Sequence, residues 1–109
     1  MLEPTTFSKP DRLVMVKKRL ANGDACGKCV DAERMLKERG LWQRVDEVVW
    51  ADELDAESPG MQLARKHQVQ LAPFYVVTGP GGERVYTSTL KLIQELTRAQ
   101  AANDTPSNQ

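Results

Sequence analysis

The sequence predicts one α/β domain with its elements in the order β-α-β-α-β-β-α. Two short apolar runs, residues 13–16 and 74–77, have the β-rich composition of buried strands. Apolar residues recur at helical spacing after Cys29, and the Gly-Pro-Gly-Gly stretch at 79–82 predicts a tight reversal between two strands. With 109 residues, of which 40% are hydrophobic, the chain has room for one such domain with a modest core.

The first strand and the first helix are joined by a turn. Residues 13–16 form a continuous apolar run, which is typical of a strand buried on both faces near the centre of a sheet. Residues 22–24, Asn-Gly-Asp, supply the turn that leads to the helix. Lys37 supplies the positive charge expected in the last turn of the helix. Gly40 supplies the left-handed residue expected just after the helix ends.

Residues 45–50 predict the second strand, which should run parallel to the first because a helix intervenes. Ser58 suits the N-cap of a helix and Pro59 suits its first turn. A short second helix should therefore begin at this pair and end near His67.

The last part of the predicted domain is a hairpin followed by a helix. Residues 74–77 and 84–87 should pair as antiparallel strands across the reversal at 79–82. Ser88 or Thr89 should cap the final helix. Its inner face is predicted at Leu92, Ile93, Leu96 and Ala99.

We divide the chain into a polar N-terminal leader, residues 1–11, a folded domain, residues 12–100, and a disordered C-terminal tail, residues 101–109. The tail is rich in polar residues and offers no apolar face to bury, so we expect it to fray.

The charge balance and the lengths of the apolar runs argue against several classes of function. Fifteen basic residues balance fifteen acidic ones, so no overall field draws the chain to nucleic acid or to anionic lipid. The basic run at residues 17–19 is interpreted as a solvated strand end or loop. The first residues lack the basic and apolar segments of a signal peptide, and no apolar run approaches the roughly 20 residues that cross a bilayer. We expect a soluble, cytoplasmic monomer that binds neither nucleic acid nor a membrane.

Cys26 and Cys29 are the only cysteines in the chain, and they lie where the first helix should begin. Backbone N–H groups at a helix start stabilise negative charge, so a thiol placed there loses its proton more easily. In a reducing compartment, two such cysteines indicate redox or metal chemistry rather than a structural disulfide.

The spacing of the pair allows a disulfide to close and open. Residues three apart on a helix have Cβ atoms about 5–6 Å apart, and a disulfide needs Cα atoms about 4.4–6.8 Å apart. Cys26 should be the exposed sulfur that attacks a substrate. Cys29 lies one turn inward and should be shielded until it resolves the mixed disulfide.

The predicted element order, with Cys-Gly-Lys-Cys at residues 26–29 and Ala72-Pro73 before the third strand, resembles the thioredoxin and glutaredoxin superfamily over residues 12–100. The resemblance implies a thioredoxin-like three-layer α/β/α sandwich around a four-stranded mixed sheet of strand order 2-1-3-4. It also implies that the peptide bond before Pro73 is cis and lies beside the dithiol.

The same resemblance implies a thiol–disulfide oxidoreductase that reduces or exchanges disulfides in protein substrates. Cys26 and Cys29 would be its catalytic residues. Ala72 and Pro73 would shape the substrate cleft, where the backbone of Ala72 can hydrogen-bond an extended substrate strand. The activity needs no metal or other cofactor, but it needs an electron donor that the sequence does not identify.

Gly27 and Lys28, between the two cysteines, are also predicted to contact the substrate. An ammonium group close to a thiolate favours its charged form, so Lys28 should make Cys26 more acidic.

The chain departs from both parts of the superfamily. Thioredoxins usually carry a tryptophan before the first cysteine, where this chain has Ala25, and no acidic residue in 13–20 can replace their buried carboxylate. Glutaredoxins usually carry a glycine pair where the last strand meets the last helix. Here that junction is Thr-Ser-Thr at 87–89, which argues against dependence on glutathione.

Two other functions remain open on the sequence. A dimer could combine two cysteine pairs into a four-thiolate zinc or iron–sulfur site, since one chain offers only two thiols and His67. A non-catalytic binding module that keeps the thioredoxin fold and uses its peptide groove without turnover is the third possibility.

Overall fold

Four strands and three α-helices follow one another in the predicted order. The computed structural model describes residues 12–104. Its elements are β1 (Arg12–Arg19), α1 (Gly27–Glu38), a short 3₁₀ helix (Trp42–Arg44), β2 (Glu47–Asp52), α2 (Pro59–His67), β3 (Phe74–Gly79), β4 (Gly82–Tyr86) and α3 (Thr89–Asp104).

The four strands form one mixed sheet in the order β2-β1-β3-β4. β1 pairs in parallel with β2, from Val14 opposite Glu47 to Arg19 opposite Asp52. β3 is antiparallel to β1 and to β4. β1 therefore lies inside the sheet, as its continuous apolar run predicts, and its carboxyl end reaches the start of α1.

Each face of the sheet carries its own hydrophobic cluster. One cluster joins β1 and β3 to α1 and α3, with Met15, Leu36, Tyr75 and Leu92 fully buried. The other packs α2 against the opposite face, around Val16 and the buried residues of the neighbouring strands. The result is a three-layer α/β/α sandwich with strand order 2-1-3-4, which confirms the predicted thioredoxin-like architecture.

Two glycines adopt the turn and helix-end conformations that the sequence predicts, whereas the serine before α2 makes a different hydrogen bond from the one expected of a cap. Gly23 and Gly40 have φ angles of +94° and +70°, in the left-handed region that glycine tolerates best. Ser58 occupies the N-cap of α2 but makes no side-chain capping bond. Its hydroxyl accepts the backbone N–H of Asp52 instead, at 3.0 Å, and so ties the start of α2 to the end of β2.

Several element boundaries differ from the prediction, and β4, for example, spans Gly82–Tyr86 rather than residues 84–87. β2 begins at Glu47 rather than residue 45, because Val45 N–H bonds to Trp42 and closes the preceding 3₁₀ turn. α3 continues through Asp104, four residues into the predicted tail at 101–109, since Ala101 and Ala102 are strong helix formers. The remaining tail, 105–109, and the predicted leader, 1–11, lie outside the described residues.

Gly60 brings α2 against β2 at a distance that leaves no room for a side chain. A Cβ at this position would be 2.4 Å from the carbonyl carbon of Trp50 and 2.4 Å from the nitrogen of Ala51. We expect Gly60→Ala to lower the free energy of unfolding by about 1–3 kcal/mol, because a backbone atom cannot move aside as a flexible side chain can. Urea unfolding followed by circular dichroism measures the change.

Gly81→Ala is the matched control, since a Cβ there meets nothing within 4 Å. The packing account of Gly60 is wrong if both variants unfold at the same urea concentration.

Candidate functional site

Cys26 and Cys29 stand at the amino end of α1, with different access to solvent. Cys26 is the N-cap residue of α1, and its carbonyl accepts the N–H groups of Cys29 at 3.0 Å and Val30 at 3.1 Å. Cys26 is partly exposed, whereas Cys29 is fully buried. A molecule that approaches from solvent can therefore reach Cys26 but not Cys29.

The peptide groups on either side of Lys18 hold both cysteines in place. The carbonyl of Lys18 accepts the backbone N–H of Cys26 at 2.9 Å. The N–H of Lys18 donates to the sulfur of Cys29 at 3.3 Å. A single β-bridge between Arg19 and Ala25 folds the intervening loop back on the strand. The dithiol is thus fixed by the end of β1 as well as by its own helix.

The pKa of Cys26 is lowered from its ordinary value. Burial acts to raise it, but that effect is outweighed by hydrogen bonds from the backbone N–H and thiol of Cys29 and from the backbone N–H of Lys28. The charge of Lys18 acts in the same direction. The sequence assigned this charge effect to Lys28, whereas in the structure Lys28 acts through its backbone and the ammonium group belongs to Lys18.

The pKa of Cys29 is raised to about 11. Burial is the main cause, and the hydrogen bond and negative charge of Cys26 add to it. The N–H of Lys18 and the charge of Lys17 oppose the rise. The two thiols are therefore unequal: the accessible one ionises readily and the buried one keeps its proton at neutral pH.

A groove of about 260 Å³ lies beside the start of α1 and collects most of the residues predicted to bind substrate. Its lining includes Lys28, Leu71, Ala72, Pro73, Thr87 and Thr89. Pro73 is buried and follows a cis peptide bond. Ala72 precedes the first paired residue of β3, so its backbone lies outside the β1–β3 ladder. Gly27, the first residue of α1, does not line this groove.

A second and larger cavity, of about 840 Å³, lies on the α2 side of residues 71–72. Its lining includes the apolar residues Ala51, Met61 and Phe74, together with Lys18. The sequence does not predict this cavity, since it forms only when α2 packs against the loop before β3. Leu71 and Ala72 line both hollows, so this short segment separates them.

Lys17, Lys18 and Glu33 lie near the dithiol, although the sequence did not single them out as site residues. The side chain of Lys17 is only 12% exposed and its Nζ lies 2.6 Å from Glu33 Oε1, so Lys17 is not part of a solvated strand end. Strand alternation was the available signal, because it sends consecutive lysines to opposite faces of a buried strand.

The remaining candidate ligand for a metal lies elsewhere. His67 is at the end of α2, with its Nε2 3.3 Å from Glu83 Oε1 on β4. Within residues 12–104, no three histidine, cysteine or acidic side chains are grouped as a metal site would require. No helix in the same range combines the length and apolar character needed to span a bilayer.

We expect Lys18→Met to raise the pKa of Cys26, because the substitution removes the ammonium and keeps the backbone hydrogen bonds. Alkylation of Cys26 at neutral pH should slow by roughly two- to fivefold, since solvent screens part of the charge. The rate of alkylation as a function of pH measures the effect. Lys28→Met is the control, and a larger shift in the control than in Lys18→Met would refute the assignment.

Comparison with solved structures finds several thioredoxins. The chain is similar to a thioredoxin from Thermus thermophilus, at 18% identity over 90% of this chain and 84% of that one, with a TM-score of 0.48. It is also similar to the germline-specific thioredoxin Deadhead from Drosophila melanogaster, at 16% identity over 82% of each chain and a TM-score of 0.47. For thioredoxin f2 from Chlamydomonas reinhardtii the identity is 18% over 84% of this chain and 82% of that one, with a TM-score of 0.46.

No protein-family model matches the chain, and no curated protein matches it. The thioredoxin-like fold is assigned from its own sheet order, its three layers and the place of the cysteine pair between β1 and α1.

Proposed function

We propose that the protein is a thiol–disulfide oxidoreductase in which Cys26 and Cys29 reduce or exchange disulfides of protein substrates. The observation that carries this proposal is the inequality of the two thiols. An accessible thiol of lowered pKa is hydrogen-bonded to a buried thiol whose pKa is about 11. Such a pair can separate attack from resolution, because the two sulfurs ionise in different pH ranges.

In the first step, the Cys26 thiolate attacks one sulfur of a substrate disulfide. A new S–S bond forms between Cys26 and that sulfur, the substrate S–S bond breaks, and the second substrate sulfur leaves as a thiolate. The backbone N–H groups at the start of α1 favour the attacking thiolate before the bond forms.

In the second step, Cys29 loses its proton to solvent and attacks the sulfur of Cys26. The intramolecular disulfide forms, the mixed disulfide breaks, and the remaining substrate sulfur leaves as a thiolate. Two electrons have then passed from the protein dithiol to the substrate, whose sulfurs take up protons according to their own pKa values. A dithiol or another electron donor must reduce the protein before the next cycle.

The groove beside α1 is the proposed substrate cleft. An extended substrate segment laid along Ala72 would bring its disulfide to Cys26, with main-chain hydrogen bonds supplying affinity. Lys28 and Pro73 line the same groove. Gly27 presents no side chain next to Cys26, so a substrate can approach the attacking sulfur closely. We place this activity in the cytoplasm, in a monomer without a cofactor, where the reducing environment keeps dithiols available.

Insulin reduction in the presence of dithiothreitol tests the activity. The wild-type protein should accelerate it, and Cys26→Ser should lower the rate to the uncatalysed background, since it removes the attacking sulfur. In a separate incubation with insulin and no dithiothreitol, Cys29→Ser should keep the first step and accumulate a mixed disulfide that mass spectrometry detects. If the wild-type protein is no faster than Cys26→Ser, it is not an oxidoreductase of this kind.

The pH dependence of thiol alkylation should show two separate transitions. The pKa of Cys26 is lowered, so its transition should lie at lower pH than that of an unperturbed cysteine. That of Cys29 should lie near 11. Mass spectrometry of each peptide assigns the transitions, and a single shared transition at the free-cysteine value would contradict the proposed division of roles.

A further inference from the structure

Lys17 and Lys18 are consecutive residues at the end of β1, and they make ion pairs on opposite faces of the sheet. Lys18 lines the large cavity, with its Nζ 3.1 Å from Glu53 Oε2. Lys17 projects to the other face and pairs with Glu33 of α1. The dithiol therefore has one lysine on each side of the strand that holds it.

The ammonium group of Lys17 is held in a fixed position. It is 2.6 Å from Glu33 Oε1 and 4.7 Å from the centre of the Trp50 ring. Glu33 is fixed in turn, since its other oxygen lies 2.8 Å from Lys37 Nζ. The hydrogen bonds from Lys17 and then from Lys37 lower the pKa of Glu33, so its carboxylate stays charged at neutral pH.

This ion pair lies beside the buried thiol. Glu33 follows Cys29 by four residues, so the two side chains share one face of α1. Lys17 reaches that face from β1, and its charge acts on Cys29 in favour of the thiolate. Cys26 on α1, Lys18 on β1 and Tyr75 on β3 also interact with this thiol.

We propose that Lys17, oriented by Glu33, is a positioning residue for the resolving step, in which its ammonium group stabilises the Cys29 thiolate as that sulfur attacks the mixed disulfide at Cys26. The proposal rests on the proposed function and adds a division of labour to it. The ammonium group of Lys18 favours the first thiolate and that of Lys17 favours the second, to which the backbone N–H of Lys18 also donates. The proton of Cys29 goes to solvent, and no electron passes through either lysine.

The two partners of this ion pair should act on Cys29 in opposite directions. Lys17→Met removes the favourable charge, so the thiolate becomes harder to form. Glu33→Gln removes the carboxylate that neutralises Lys17 and that itself disfavours a nearby anion, so the thiolate becomes easier to form. A role of the pair in packing alone would change both variants in the same direction.

Single-turnover reaction with a small aromatic disulfide separates the steps, because each released thiol absorbs light. At neutral pH, release of the second thiol should be roughly two- to tenfold slower in Lys17→Met and faster by a similar factor in Glu33→Gln. Release of the first thiol should change little in either. Lys66→Met is the charge-matched control, because Lys66 of α2 pairs with Glu83 of β4 rather than with Glu33. Circular dichroism checks folding, and Lys17→Gln serves as a second variant.

A titration that does not depend on turnover keeps this proposal distinct from the proposed function. In the Cys26→Ser background, ultraviolet absorbance of the Cys29 thiolate should titrate at higher pH with Lys17→Met and at lower pH with Glu33→Gln. Shifts in the same direction, or no shift, would overturn the proposal. If these shifts appear but the wild-type protein forms no mixed disulfide, the proposed function fails and the electrostatic role of Lys17 stands.

Discussion

The geometry of the site depends on the two hydrogen bonds that the backbone of Lys18 makes to the cysteine pair. Its carbonyl fixes the main chain of Cys26, and its N–H fixes the sulfur of Cys29. β1 lies inside the sheet, between two neighbouring strands, and does not shift easily. These two hydrogen bonds hold the dithiol against an interior strand of the sheet, although residues 21–24 in the loop between β1 and α1 are exposed.

The central position of β1 also determines the electrostatics. Both faces of this strand are covered by helices, so consecutive side chains enter different environments. Lys18 emerges where α2 leaves a cavity, and Lys17 emerges under α1 next to Glu33. The side-chain charges of two adjacent residues therefore act on two different sulfurs. The buried carboxylate of thioredoxins has no counterpart among residues 13–20, and here lysine charges stand near the pair instead.

Features that depend on neighbouring residues can be predicted from the sequence, whereas contacts between residues far apart along the chain cannot. The glycine turns at Gly23 and Gly40 and the strand-helix order follow from neighbouring residues, so they could be predicted. The sequence places Ser58 correctly at the N-cap of α2. Its hydroxyl, however, accepts a backbone N–H from β2 rather than one from α2. The ion pairs of Lys17 and Lys18 could not be predicted, since their partners Glu33 and Glu53 lie 16 and more positions away along the chain. The larger cavity depends on packing between α2 and the loop before β3, which no local pattern encodes.

The central claim is that Cys26 and Cys29 of one molecule form and break a disulfide with each other. A redox titration in buffers of reduced and oxidised dithiothreitol tests it most directly, with acid quenching, alkylation and mass spectrometry of the intact chain. The account predicts one two-electron transition to a species that lacks two free thiols and has the mass of a monomer. Oxidation that yields only disulfide-linked dimers, or only adducts with the buffer thiol, would contradict it.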